Sequence, residues 1–229
     1  MTELREGRPP AGTPRPYHFP AFTKRGFPNG LTLWIVPLPD REMVSAHLLV
    51  DGGAAAETEP VGGVAALTAE VLVTGTRRLD ANAFAEETER EGIEVSADSS
   101  WDSARASFQA LAIKLERGFA LLAEMVLEPR FDKGEFERLR GERLADILQA
   151  RSEPGRLADE LFLRNCYAPT SPYARLSAGT PDTVETLVAE QAKGHHATHW
   201  RPDRAHLVVA GPVDEEAVAR LVEAHFGAW

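Results

Sequence analysis

Two rhythms of apolar and polar residues divide this chain. Residues 19–27 and 31–38 read as strands, joined by Pro28-Asn29-Gly30. Asn-Gly supplies the positive φ that a tight hairpin needs. Residues 43–51, Met-Val-Ser-Ala-His-Leu-Leu-Val-Asp, are nearly apolar throughout, which predicts a central strand ended by Gly52-Gly53. Further on, 93–97 and 104–110 read as paired strands, and 206–210 as a late one. Between them the period changes to that of helices. These are expected over 81–91, 115–127, 133–151, 154–165, 184–200 and 214–226, with a loop over 171–181. On the long segment 133–151 Phe136, Leu139, Leu144, Ile147 and Leu148 form the expected buried side. Strands, then helices, then one strand and one helix predict an α+β domain, a mixed or antiparallel sheet with helices on one face.

The stretch 63–76, Gly-Val-Ala-Ala-Leu-Thr-Ala-Glu-Val-Leu-Val-Thr-Gly-Thr, is helix-like and bounded by glycines. Leu67, Val71 and Thr74 share one stripe, and Ala66, Ala69, Glu70 and Val73 the next. Glu70 alone is ionised there. Burying an unpaired charge is costly, so either that face opens onto a cavity or Glu70 has a partner.

Composition narrows the possibilities. The chain has 229 residues, 43% of them apolar, as a soluble globular protein does. A net charge of -10 argues against nucleic-acid binding, which needs a basic surface. Cys166 is the one cysteine, so no internal disulfide can form. Residues 1–18 are charged and rich in proline, and read as a mobile lead before a single domain over 19–229. No signal-peptide core and no apolar run of ~18 residues is seen, so no membrane span and a cytoplasmic location are expected.

The frame of 63–76 resembles the active-site helix of the insulinase/pitrilysin metallopeptidases, Gly-Leu-Ala-His-Phe-Leu-Glu-His-Met-Leu-Phe-Lys-Gly-Thr, which carries the inverted zinc motif H-x-x-E-H. Gly63, Ala65, Leu72, Gly75 and Thr76 match it. The likeness continues in order along the chain. Phe27-Pro28-Asn29-Gly30-Leu31 looks like the family's Leu-Pro-Asn-Gly-Leu hairpin, and Glu128-Pro129-Arg130-Phe131 like its Pro-x-Phe turn. Ser171-Pro172-Tyr173 with Gly179-Thr180-Pro181, then His196…Trp200-Arg201-Pro202-Asp203, then Phe226-Gly227-Ala228-Trp229 follow the family's later signatures. The resemblance covers about residues 19–229 and implies a processing-peptidase-like or LuxS-like α+β domain. It also implies the first half of a usually two-domain subunit.

The same register places the family's zinc-binding histidines on Ala66 and Glu70, its water-activating glutamate on Ala69, and its third ligand on Asp146, just before Ile147. Hydrolytic zinc needs three protein ligands and an open water position. Here no imidazole is offered, and Ala69 removes the proton acceptor. The expectation is therefore no catalytic residue, no metal and no cofactor at the degenerate positions Ala66, Ala69, Glu70 and Asp146. These are expected to cluster on one cavity wall. For Glu70 three arrangements are open: a partly solvated carboxylate facing that cavity, a pair with Asp146 sharing a proton or an ion, or a pair with Arg140 or Arg143.

Three other features invite chemistry. His195 and His199 stand at i, i+4, the spacing of two metal ligands on a helix, but no third ligand is evident, so structural or surface histidines are expected. Asp98-Ser99-Ser100-Trp101-Asp102 has serines between carboxylates without a nearby histidine, which reads as a polar strand edge. The run 86–91 reads as a solvated acidic helix face. The resemblance implies a non-catalytic subunit that binds peptides beside an active H-x-x-E-H partner, or that self-associates. The alternatives are an active peptidase with unconventional ligands and a purely structural scaffold.

Overall fold

A computed structural model describes residues 12–14 and 16–229, so the lead expected over 1–18 falls mostly outside the described residues. Six strands form one sheet: β1 (Thr23–Gly26), β2 (Thr32–Pro37), β3 (Met43–Val50), β4 (Glu94–Ser99), β5 (Ala104–Leu111) and β6 (Ala205–Gly211), in the order β1-β2-β6-β3-β5-β4. The first hairpin turns at Asn29-Gly30, where Gly30 has φ 97° and Asn29 accepts from the Leu31 N–H at 3.1 Å. β3 is central, as its apolar run predicts. The last strand enters between β2 and β3, parallel to β2 (Leu33 opposite Leu207, Ile35 opposite Val209) and antiparallel to β3 (Leu48 opposite Leu207). The sheet is therefore mixed. Its two halves close only when a segment about 170 residues downstream of β2 arrives.

One face of the sheet is dry. Val44, Ala46, Leu48, Leu33, Ile35, Ala106, Phe108, Leu207 and Val209 are buried, while Ser45, His47 and Trp34 between them are part-exposed on the other face. The dry face is covered by α3 (Leu115–Leu127) and α8 (Glu215–Phe226), joined to the sheet in one hydrophobic cluster with α2 (Ala81–Glu91) at its margin. Alternation along the strands and the i, i+3, i+4, i+7 stripe of α3 both follow from this one surface. The expected α+β layer, with helices on one face, is the fold observed.

α1 (Val64–Leu72) lies between two cores. Ala69 and Leu72 join the sheet cluster. Val64, Leu67 and Val71 join a second cluster with α4 (Lys133–Ala150), α6 (Pro181–Glu185) and α7 (Ala189–His199). That double contact explains why this helix is apolar nearly all round. It stops at Leu72 rather than running on toward Thr76: Thr74 Oγ1 donates to the Val71 carbonyl at 2.8 Å, and Gly75 takes φ 125°.

Two expectations about helices need correction. The segment 184–200 is two helices, not one. Leu187 turns into the second core, its carbonyl accepts from Arg140 Nη1 at 2.8 Å, and the Val188 N–H donates to Gln191 Oε1 at 2.9 Å. The tertiary bond from Arg140 and the local cap by Gln191 replace the intrahelical bonds across the break. On α4, Phe136 and Ile147 are buried, but Leu148 is exposed. It stands near α5 (Pro154–Cys166) in sequence, a 13-residue helix with no buried residue and with Leu157, Leu161 and Phe162 exposed.

Candidate functional site

The site begins at the start of α1. Gly63 cannot cap that helix with a side chain, and at φ 95° a Cβ there would meet the Ala178 carbonyl oxygen at 2.8 Å. Glu57 takes over from the preceding loop. Its carboxylate accepts from the Gly63 N–H at 3.0 Å and the Ala65 N–H at 2.7 Å, satisfying two N–H groups that a helix start leaves free. Burial, at 7% exposure, pushes the Glu57 carboxyl up, against those two N–H groups and the charge of Arg175. Arg175 in turn donates to the carbonyls of Ala54 and Glu57.

One turn further, Ala66 and Glu70 face a recess of about 110 Å³. Its other walls are Ala97, Asp98 and Ser99 of β4, Arg143 of α4, and Ser177 with Ala178 from the loop before α6. Glu70 is ion-paired with Arg143. Of the three arrangements open for Glu70, the structure combines two: the carboxylate is part-exposed to the recess, and it pairs with Arg143. The four degenerate positions do not share one wall. Ala69 points into the sheet core at 0% exposure. Asp146 lies outside the recess and half-exposed, its two oxygens accepting from Arg156 Nη1 at 3.1 Å and Nη2 at 3.0 Å. Those bonds, more than the charges around it, hold the Asp146 carboxyl below its usual range. Glu70 and Asp146 do not pair directly: Glu70 meets Arg143, and Asp146 is held by Arg156, with the charge of Arg143 also acting on it.

This donor set does not fit zinc. Ala66 has no lone pair, Glu70 and Asp146 are spent on guanidinium groups, and Ala69 holds no base. Among the described residues no group of three or more His, Cys, Asp or Glu side chains converges as metal ligands would. Arg143 was one option from spacing. Arg156 was not foreseen, since it comes from the next helix. Glu57 had one signal, an acid shortly before a helix whose cap position is glycine.

The i, i+4 histidines are used differently. His195 Nε2 donates to the Gly52 carbonyl at 3.1 Å, and His196 Nε2 to the Val126 carbonyl at 2.9 Å. Burial lowers both pKa values, that of His195 to about 4. His199 lies beside His195 with ring centroids 4.4 Å apart. The serine pair sits at the end of the β4–β5 hairpin: Asp98 accepts from Arg105 Nε at 3.0 Å, Ser100 Oγ donates to the Ser103 carbonyl, and Asp102 accepts from Tyr173 Oη. The acidic face of α2 is only partly solvated, since Glu87 is paired with Arg78, Arg90 and Arg117, and Glu91 with Lys114.

β4 is an edge strand, paired only with β5, and it runs past the recess. The edge strand β4 thus runs beside the helix whose frame resembles the family's zinc helix, with Glu70 where that frame has a histidine. The profile of the insulinase family, peptidase family M16, matches residues 36–177, and that of the peptidase M16 inactive domain matches residues 186–229. The chain belongs to the insulinase family. It is 26% identical over 176 residues to the non-peptidase homolog YmxG of Helicobacter pylori, covering 76% of this chain and 40% of that protein. It is 25% identical over 202 residues to a probable mitochondrial-processing peptidase subunit beta of Schizosaccharomyces pombe, covering 87% and 43%. The crystal structure of a peptidase M16 inactive domain from Pseudomonas fluorescens superposes with a TM-score of 0.85 at 24% identity, covering 91% of this chain and 50% of that one. The chain thus spans less than half the length of these curated relatives.

Proposed function

We propose that this chain is a non-catalytic insulinase-family subunit that helps to enclose and bind peptides beside an active H-x-x-E-H partner. The observation that carries the reading is the pair of ion bridges, Glu70–Arg143 and Asp146–Arg156, standing on the positions where the family holds its metal. A peptidase needs a Lewis acid and a base there, and these residues supply neither. The open edge of β4 beside the recess supports peptide binding, because an extended chain can add to it through backbone hydrogen bonds. The named similarity to a non-peptidase homolog supports a non-catalytic role, and that to a processing-peptidase subunit supports a heteromeric setting. Self-association is the companion reading, supported by the exposed apolar side chains of α5, Phe162 at 62% exposure among them.

The test is reconstitution. The purified chain with added zinc is assayed on a fluorogenic peptide library, alone and mixed with an H-x-x-E-H protein from the same source. The expected result is no hydrolysis alone, a heteromer by light scattering on mixing, and hydrolysis only by the mixture. Zinc-dependent turnover by the chain alone would establish the alternative of an active peptidase. A heteromer that binds no peptide would favour the scaffold.

A further inference from the structure

Although the chain carries a net charge of -10, one groove of about 680 Å³ gathers cations. It lies beyond the C-terminal end of α1, apart from the Glu70–Arg143 recess. Arg77 comes from the loop after α1, Arg130 and Lys133 from the turn into α4, and Lys193 from α7. Opposed to these four are two carboxylates, Glu128 and Asp132.

The backbone holds the groove in place. The Arg77 N–H donates to the Glu128 carbonyl at 2.8 Å, the Arg130 N–H donates to the Gly75 carbonyl at 3.2 Å, and Thr76 bridges Pro129. Phe131 then turns the chain with φ 50°, the one positive φ outside glycine among the described residues. Such a conformation is costly for an aromatic residue and persists only where its surroundings demand it. Its ring meets that of His196 edge to face, centroids 5.4 Å apart, forming an aromatic floor. His196 is engaged with the Val126 carbonyl and kept neutral by burial.

The cations are not equally available. Arg77 is paired with Glu128 at 3.2 Å. Arg130 reaches Asp132 at 4.0 Å and borders a second recess holding Asp80 and Glu135. Lys133 and Lys193 have no ion-pair partner among the described residues, and both are exposed. Lys133 is moreover the first residue of α4, the end of a helix where the dipole disfavours a cation. An incoming anion would relieve that position.

We propose that this groove binds an acidic peptide segment, with an apolar side chain on the Phe131–His196 floor and flanking carboxylates on Lys133 and Lys193. A compact phosphate fits less well. Phosphate sites converge backbone N–H groups on one point, and the N–H groups of Gly134 and Glu135 at the start of α4 are already taken by Asp132. Two lysines on separate helices, with an open apolar floor between them, match charges spaced along an extended chain. The assignment does not rest on the reading of the Glu70 recess.

Fluorescence anisotropy of a fluorescein-labelled peptide, Glu-Asp-Phe-Glu-Asp, tests this on the full chain against its neutral counterpart Gln-Asn-Phe-Gln-Asn. The expected result is saturable binding of the acidic peptide alone, with a dissociation constant below about 1 mM that weakens as salt rises. Lys133→Glu with Lys193→Glu should weaken it at least tenfold with the melting temperature unchanged. Lys24→Glu, on β1, makes part of the same change in net charge away from the groove and should leave binding as it was. Equal weakening by Lys24→Glu would show a general charge effect and overturn the proposal. So would equal binding of both peptides, or binding of sodium triphosphate at this groove with none of the acidic peptide.

Discussion

Acid should unfold this protein through His195 more than through its surface carboxylates. The ring is 9% exposed, donates to the Gly52 carbonyl, and lies against His199. Charging it inside the fold is opposed first by burial and then by the neighbouring histidines, which brings its pKa to about 4 from 6.5. The folded value is the depressed one. The contribution to stability is therefore complete above 6.5 and is lost as pH falls through about 4. Proton linkage between these two values gives a loss of about 2 kcal/mol from pH 7 to pH 5, and about 3 kcal/mol by pH 4. Buried His196, lowered for the same reason, adds in the same direction. The perturbation is His195→Gln, which keeps a donor for Gly52 and removes the titration. Urea unfolding followed by far-UV circular dichroism at pH 7 and pH 5 gives the stability of both proteins. The variant should lose about 2 kcal/mol less than the parent over that interval. Parallel losses in the two proteins would refute the reasoning. Zinc provides a second check, because ligand histidines would tie stability to the metal. Here neither added zinc nor a chelator should move the unfolding midpoint.

Two further variants probe the packing and the positions that match the family's zinc ligands. Gly118→Ala on α3 would place its Cβ 2.3 Å from Phe108 Cε2, in a ring stacked edge-on against Phe119, so overpacking should cost about 1–3 kcal/mol in urea unfolding; a neutral result would show that the Phe108 ring has room to move. Restoring the family's ligands by Ala66→His, Glu70→His and Asp146→Glu should still give no tightly held zinc by equilibrium dialysis, because Arg143 loses its carboxylate partner and Arg156 keeps hold of residue 146. Adding Arg143→Leu and Arg156→Leu should recover it, and stoichiometric zinc in the threefold variant would show that the two arginines do not block the site.

What the chain revealed in sequence, and what it hid, divides by the range of the interactions involved. α2 and α3 keep the bounds read from their periodicity, and the Asn29-Gly30 turn is where its dipeptide puts it, because those features are set by residues a few positions apart. The position of β6 was not readable. Ala-His-Leu-Val-Val-Ala-Gly alternates like any strand, and nothing local says that it slots between β2 and β3. The break at Leu187 was hidden for the same reason, being held by Arg140 from a different helix. At the candidate site, the loss of donors at residues 66, 69 and 70 was legible as plain substitution. Their surroundings were less so: Ala69 faces the core rather than the recess, and the arginine on Asp146 comes from α5, a helix that the periodicity described only as a helix.

The two arginines show how the positions that match the family's zinc ligands are accommodated in this chain. Ala66 and Ala69 remove functional groups and leave small, well-packed side chains, which a buried helix tolerates. Glu70 adds a charge where the frame of the family has a neutral imidazole, and a partly buried carboxylate without a partner would be costly. Arg143, on the next layer of helix, meets it across the recess. The carboxylate at 146 stands in the register of the third ligand and faces outward to Arg156. Both acidic positions thus have partners within the chain, and α1 is held between the sheet core and the α4–α7 core by apolar contacts. A half-domain packed this way holds the peptidase-type shape, including the edge of β4, through contacts among its own side chains.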